Sequence, residues 1–204
     1  MNDASLNIGD LDAAQEPFGL FAQWFEAARA AEINDPEAMA LATVDADGRP
    51  DLRMVLCKGV EAGGLVFYTN AESAKGRQIE AQPQAAALFH WKSLRRQARF
   101  RGSVSLLDEA AADAYFRTRA RVSQIGAWAS DQSRPLASRA ALESRVAEYA
   151  ARFGDGEIPR PAHWRGFRLD AAEAELWADG AYRLHDRVHF TRTGERWTRR
   201  RLYP

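Results

Sequence analysis

The sequence predicts an α+β fold, a small and mainly antiparallel β-barrel with peripheral helices. Short apolar runs follow one another through tight turns: Asp45-Ala46-Asp47-Gly48 separates two of them, and Glu61-Ala62-Gly63-Gly64 precedes a third. Strands joined this way pair antiparallel, and closing such a sheet removes its edges. Helical spacing is confined to a few separate stretches. The βαβ alternation of a parallel sheet is missing, and so is a G-x-G-x-x-G dinucleotide fingerprint.

Residues 1–16 are polar and acidic and lack the basic start and apolar core of a signal peptide. We expect a flexible tail there and a single domain over 17–204. From Pro17, a good first-turn residue, Phe18, Phe21, Trp24, Phe25 and Ala28 recur at helical spacing until Asn34-Asp35-Pro36 stops the helix. AMALATV (38–44), LRMVLCK (52–58) and LVFYTN (65–70) read as strands. Ser73 is a suitable N-cap for a short helix over 73–82. Two further strands follow, AAALFHW (85–91) and QARFRGSVSLL (97–107). Asp108 caps a helix ending near Arg119, with Ala111, Ala114, Tyr115 and Thr118 on one stripe. Ser123, Gln124 and Gly126 are expected in a loop, before a longer helix near 138–153 that Gly154, Gly156, Pro159 and Pro161 end. The remainder reads as the strands GFRLD, AELWAD, RVHFTR and RWTRRRL.

The chain has 204 residues, 46% of them hydrophobic and 27% charged, as in an ordinary globular domain. No apolar run approaches the ~18–20 residues of a membrane span. A single cysteine, Cys57, excludes an intramolecular disulfide and a Cys-based zinc cluster, so a cytoplasmic location is expected. Twenty-eight basic residues against 28 acidic ones give no global case for a nucleic-acid or membrane partner. Of the basic residues only Lys58, Lys75 and Lys92 are lysine. Genome composition explains such a bias, and so does the binding of planar anions by guanidinium groups.

Several local constellations suit anions, each with a plainer reading beside it. Arg53 and Lys58 fall on opposite faces of a regular strand, unless a bulge intervenes or a ligand wraps the strand end. Ser73-Ala74-Lys75, after Tyr68-Thr69, places a hydroxyl, free N–H groups and a lysine at a helix start, a plausible phosphate seat. Tyr115, Arg119 and Ser123 are spaced by four and would share a face if their helix continued; the same arginines also suit a helix end. In ELWADGAYRLHDR (175–187), Arg183, His185 and Arg187 alternate and would share one strand face, where they repel without an anion. The four histidines lack metal-ligand spacing. Arg95, Arg96, Arg99 and Arg101 near Trp91 and Phe100 read more simply as a charged strand face than as a nucleic-acid surface. Arg199-Arg200-Arg201 suits a solvated strand end or a second anion site.

Together these segments resemble the pyridoxamine 5′-phosphate oxidase family. The matching stretches are RMVLCK (53–58), VFYTN (66–70), SAKGRQIE (73–80), FHWKSLRRQ (89–97), YFRTRARVSQIGAWASDQS (115–133), RGF (165–167), ELWADGAYRLHDR (175–187) and RLYP (201–204). The resemblance implies an FMN-binding split β-barrel and a homodimer with FMN at the subunit interface. It implies oxidation of pyridoxamine or pyridoxine 5′-phosphate to pyridoxal 5′-phosphate, with O2 as electron acceptor and H2O2 as product. It assigns Arg53, Met54, Val55, Leu56, Cys57, Lys58, Tyr68, Thr69, Lys75, Gln97, Gln132, Ser133, Trp177 and Arg187 to FMN. Lys58, Tyr115, Arg119, Ser123, Arg183 and His185 fall to the substrate, with Arg183 and His185 nearest the chemistry. Ala74, Ala178, Ala174 and Cys57 depart from the family pattern, and the N-terminus lacks a segment that covers the substrate in some members. Another split-barrel flavoprotein, such as a flavin reductase, and a non-catalytic FMN- or pyridoxal-phosphate-binding protein are the alternatives.

Overall fold

A computed structural model describes residues 8–61 and 63–204. The described elements are α1 (Ile8–Ala13), α2 (Pro17–Ala31), β1 (Ala38–Val44), β2 (Pro50–Leu56), β3 (Gly59–Glu61), β4 (Gly64–Asn70), α3 (Ala74–Ala81), β5 (Gln84–Trp91) and β6 (Arg96–Leu106). They continue as α4 (Glu109–Thr118), α5 (Arg121–Ala129), α6 (Arg139–Phe153), β7 (Trp164–Ala178), a 3-10 turn (Ala181–Arg183), β8 (Asp186–Thr193) and β9 (Arg196–Arg201). All strand pairings are antiparallel. The order β2-β1-β5-β6-β7-β4-β3 leaves the sheet open between β2 and β3, and β8 and β9 branch from β7. This is the split barrel expected from the sequence.

The local signals act as their chemistry requires. Asp45 Oδ1 accepts the N–H groups of Asp47 and Arg49, which tightens the β1–β2 turn. Ser73 and Asp108 cap α3 and α4. The apolar stripe of α2 buries Phe21, Trp24, Phe25 and Ala28, and Phe21 packs against Phe89, Trp91 and Phe100 of the sheet. A second apolar cluster joins Phe116, Ile125, Ile158 and Trp164 beneath α4, α5 and α6.

Four expectations need correction. GFRLD and AELWAD form one strand, β7, of 15 residues; a register shift at Arg101/Gly102 takes up an extra residue and hides the continuity in the sequence pattern. A Cβ on Gly102 would lie 1.9 Å from the Asp170 carbonyl oxygen, so only glycine permits this close approach. Residues 121–129 are helical rather than a loop. The expected tail is not featureless where it is described: Leu11 is buried, and Arg199 and Arg201 pair with Asp12. Residues 1–7 lie outside the described residues. The fourth correction concerns residues 183–187, which do not form one continuous strand. Tyr182 and Arg183 take φ of 56° and 64°, and β8 begins only at Asp186, so Arg183, His185 and Arg187 do not share a strand face.

Candidate functional site

Strand β2 ends at Leu56. There the chain leaves β1 and turns toward β4: the Cys57 N–H donates to the Glu37 carbonyl and the Lys58 N–H to that of Val66. This change of partner brings Arg53 and Lys58 to one cavity despite their odd spacing. Cys57 points the other way, into the core. Burial pushes its thiol up to about 11, and it takes no part in the cavity wall.

Tyr115, Arg119 and Ser123 also converge, by a different route from a continuous helix. Helix α4 stops at Thr118, and Arg119 is extended (φ −72°, ψ 147°). Helix α5 then starts in a new direction at Arg121. The Gln124 side chain donates to the Phe116 and Arg117 carbonyls, ties the two helices together and satisfies the end of α4.

The cavity has a volume of about 780 Å³, ordinary for a small-molecule site. Its wall contains Arg53, Met54, Val55, Leu56, Lys58, Tyr68, Thr69, Lys75, Tyr115, Arg119, Ser123, Gln132 and Ser133, all expected from the sequence. Ser133 adopts φ 70°, a left-handed conformation rare outside glycine, at the cavity wall. Lys75 is buried, and its Nζ has only neutral oxygens as partners: Gln132 Oε1 at 3.1 Å, Thr69 Oγ1 at 3.2 Å and Ser73 Oγ at 3.3 Å. Burial, then the nearby Arg53 charge, brings its pKa down to about 8. Burial also lowers the Arg119 pKa, and Arg119 Nη1 is buried without a hydrogen-bond partner among the described residues. Two desolvated cations without a carboxylate of their own lack only an anion.

Arg53 is held differently. Its Nη1 donates to Thr43 Oγ1 and the Leu41 carbonyl, and its Nη2 to Gln78 Oε1, while Asp51 lies 2.6 Å away. It contributes charge from a fixed mount. Lys58 pairs with Glu37 at 3.2 Å.

Trp164 is the residue that sequence reasoning missed. Its ring lies under Arg119, 4.9 Å from the guanidinium carbon, and Tyr68 stacks on it at 5.2 Å and on Tyr115 at 4.2 Å. This platform orients the arginine and both phenols. An aromatic residue at the start of a strand looks like core in sequence, and its place beside Arg119 depends on the fold of α4. Asp51 and Gln78, which hold Arg53, were equally illegible.

The remaining expected residues gather elsewhere. Gln97 pairs across strands with Trp177, and Trp177 with Arg187, making one row over β6, β7 and β8. Arg187 is fixed by the buried Glu175, which also binds Arg99 at 2.5 Å. The His185 ring lies against Trp177 at 4.7 Å, and Arg183 is exposed on the turn. Trp164 and Trp177 stand near opposite ends of β7, which at about 3.3 Å per residue puts roughly 40 Å between them. The expected residues therefore form two separate groups on one chain. The arginines of the supposed nucleic-acid face are largely neutralised, Arg99 by Glu175, Arg101 by Glu173 and Arg95 by Asp179. Among the described residues, no helix is long and apolar enough to cross a membrane.

Comparison with known proteins agrees with this arrangement. Residues 25–153 match the family model described as pyridoxamine 5′-phosphate oxidase. Residues 164–204 match the pyridoxine 5′-phosphate oxidase C-terminal dimerisation region. The chain is 59% identical to a pyridoxine/pyridoxamine 5′-phosphate oxidase of Rhizobium etli (strain CIAT 652) over 206 residues, covering 100% of each. It is 58% identical to one from Mesorhizobium japonicum, also over the full length of both. Among solved structures, PhzG from Burkholderia lata 383 in complex with tetrahydrophenazine-1-carboxylic acid superposes with a TM-score of 0.89 at 32% identity, covering 96% of each chain. A pyridoxamine 5′-phosphate oxidase-related, FMN binding protein from Nostoc punctiforme shares the fold, with a TM-score of 0.74 at 21% identity over 93% of this chain and 98% of its own. By its sequence over the full length, the chain belongs to the pyridoxamine 5′-phosphate oxidase family.

Proposed function

We propose that the chain, as a homodimer, oxidises pyridoxamine 5′-phosphate and pyridoxine 5′-phosphate to pyridoxal 5′-phosphate, with FMN as redox group, O2 as electron acceptor and H2O2 as product. The observation that carries this reading is the cavity with two cations, the buried Lys75 and the half-buried Arg119, that have no paired carboxylate among the described residues. Two phosphate esters, one on the cofactor and one on the substrate, match two such seats.

The donor set fits FMN. Lys75, Thr69, Gln132 and Ser133 surround one anion position, and Arg53 adds positive charge from its mount. When bound, FMN supplies the hydride-accepting chemistry that no side chain offers. Tyr115, Arg119, Ser123 and Lys58 offer hydroxyl, guanidinium and ammonium donors to the substrate phosphate. Binding energy spent on that remote group fixes the pyridine and so lowers the entropic part of the barrier.

Gln97, Trp177, Arg183, His185 and Arg187 complete the site from the second chain. The length of β7 supports this reading, because one protomer cannot set both ends of the strand on one ligand. Leu52 and Met54, each 63% exposed on an outer strand that lines the cavity, offer apolar surface for the partner.

Complementation between two inactive chains tests the proposal. Lys75→Met and Arg187→Ala each remove activity alone. Unfolding and refolding them together returns about a quarter of the wild-type sites, because half the dimers are mixed and each mixed dimer has one intact site. No recovery in verified mixed dimers would place both residues in the same protomer's site. A protein that stays colourless with added FMN and oxidises neither substrate would overturn the reading, and one reduced by NADH in preference to pyridoxine phosphate would favour a flavin reductase.

A further inference from the structure

The turn that carries His185 also presses a carboxylate against its ring. Strand β7 ends at Ala178, and the chain doubles back through Asp179, Gly180 and the 3-10 turn before β8. Gly180 permits the fold-back, since a Cβ there would lie 2.0 Å from the Leu184 carbonyl oxygen. Asp179 Oδ1 is thereby set 3.1 Å from His185 Nδ1, with the side chains 15% and 19% exposed. The Gly180 N–H approaches the same nitrogen at 3.2 Å.

These neighbours demand opposite tautomers: Asp179 requires a proton on Nδ1, whereas Gly180 requires a lone pair. Only the Gly180 contact has hydrogen-bond geometry, but a lone pair on Nδ1 would repel the Asp179 oxygen 3.1 Å away, and a proton there turns that repulsion into attraction. Asp179 therefore decides. Arg95 pairs with the other carboxylate oxygen from the solvent side and holds Asp179 in place. His185 Nε2 has no hydrogen-bond partner among the described residues.

We propose that Asp179 is a positioning residue that keeps the proton of the neutral His185 imidazole on Nδ1. Nε2 then offers a lone pair to the N–H or O–H on the substrate carbon being oxidised. The inference rests on the function proposed above, which puts His185 beside the substrate. The logic is that of any carboxylate that selects the working tautomer of a histidine.

The test combines 15N NMR of the histidine-labelled full-length protein, at a pH where the imidazole is neutral, with steady-state kinetics of the FMN-loaded enzyme. In the wild type the His185 proton resides on Nδ1. In Asp179→Asn the carboxamide N–H joins Gly180 in donating to Nδ1, and the proton moves to Nε2. kcat then falls about tenfold while KM and FMN affinity stay within about twofold, and Asp179→Glu recovers most of the loss. In a His185→Asn chain, adding Asp179→Asn costs nothing further. A wild-type proton on Nε2, or an equal loss from Asp179→Asn in the His185→Asn background, overturns the proposal. A tautomer switch in a chain that oxidises neither substrate would instead overturn the functional reading, leaving the grip of Asp179 on Nδ1 intact.

Discussion

The two ends of β7 carry groups of side chains held on different physical terms. At the Trp164 end, Lys75 and Arg119 are desolvated and without a carboxylate partner, on an aromatic platform and among neutral donors. At the Trp177 end Arg187 is paired with Glu175 and His185 lies against Asp179, while Arg183 extends into solvent. The first end is organised to attract an anion. The second is organised to hold side chains in fixed poses and lacks the surface they would act on. In the function proposed above, a ligand spends binding energy at the first end, and the second end aims the groups that shape the reaction.

That contrast is most exposed at Arg119. Arg119→Ala removes charge-assisted bonds worth about 1.5–3 kcal/mol each, so kcat/KM should fall on the order of a hundredfold, mainly through KM, with FMN affinity preserved. A loss confined to kcat would break the division of labour. Arg183→Ala should behave in reverse, with kcat falling about tenfold or more and KM and the FMN dissociation constant moving little. Titration of flavin fluorescence beside initial rates separates the two outcomes.

Lys75 predicts a pH signature confined to the first end. Its pKa is lowered to about 8 in the folded protein from an ordinary 10.5. Between those values the unfolded chain binds the proton and the folded one does not. Stability of the FMN-free protein should therefore rise with pH from about 8 to 10.5, where the cost of burying the cation is relieved. Affinity for FMN should fall over the same interval, because the neutral amine no longer attracts the phosphate. Lys75→Met should flatten both slopes, as melting curves and FMN titrations across pH would register. Slopes that persist in that variant would assign the titration to another group.

The smallest effect is expected away from both ends. Asp12→Ala breaks exposed pairs with Arg199 and Arg201 and should lower stability by about 0.2–1 kcal/mol without altering KM or kcat. A marked kinetic change on dilute, salt-matched enzyme would connect α1 to the site.

Local chemistry made most of the fold legible. The apolar stripe of α2, the Asp45–Gly48 turn and the Ser73 and Asp108 caps act within a few residues of themselves, so spacing alone reveals them. Most of the cavity wall could be anticipated because its residues cluster in short stretches, 53–58, 68–75 and 115–133. What failed was whatever depended on distant partners. The bulge that lets β7 run unbroken is set by Gly102 on the neighbouring strand. The alternation of Arg183, His185 and Arg187 looked like a strand, but the left-handed backbone at Tyr182 and Arg183 and the close approach at Gly180 turn the chain back.

By itself, then, the sequence determined the antiparallel split barrel, the family and the list of side chains from which a site is built. Tertiary structure decided how those side chains are divided. The kink after Thr118 gathers Tyr115, Arg119 and Ser123, Trp164 supplies their platform, and the 15-residue span of β7 keeps Trp177 and Arg187 away from them. The physical reason is range: caps, turns and periodicity are encoded within a few residues, whereas convergence on a ligand depends on strand length, register and the direction of helices far apart in the chain.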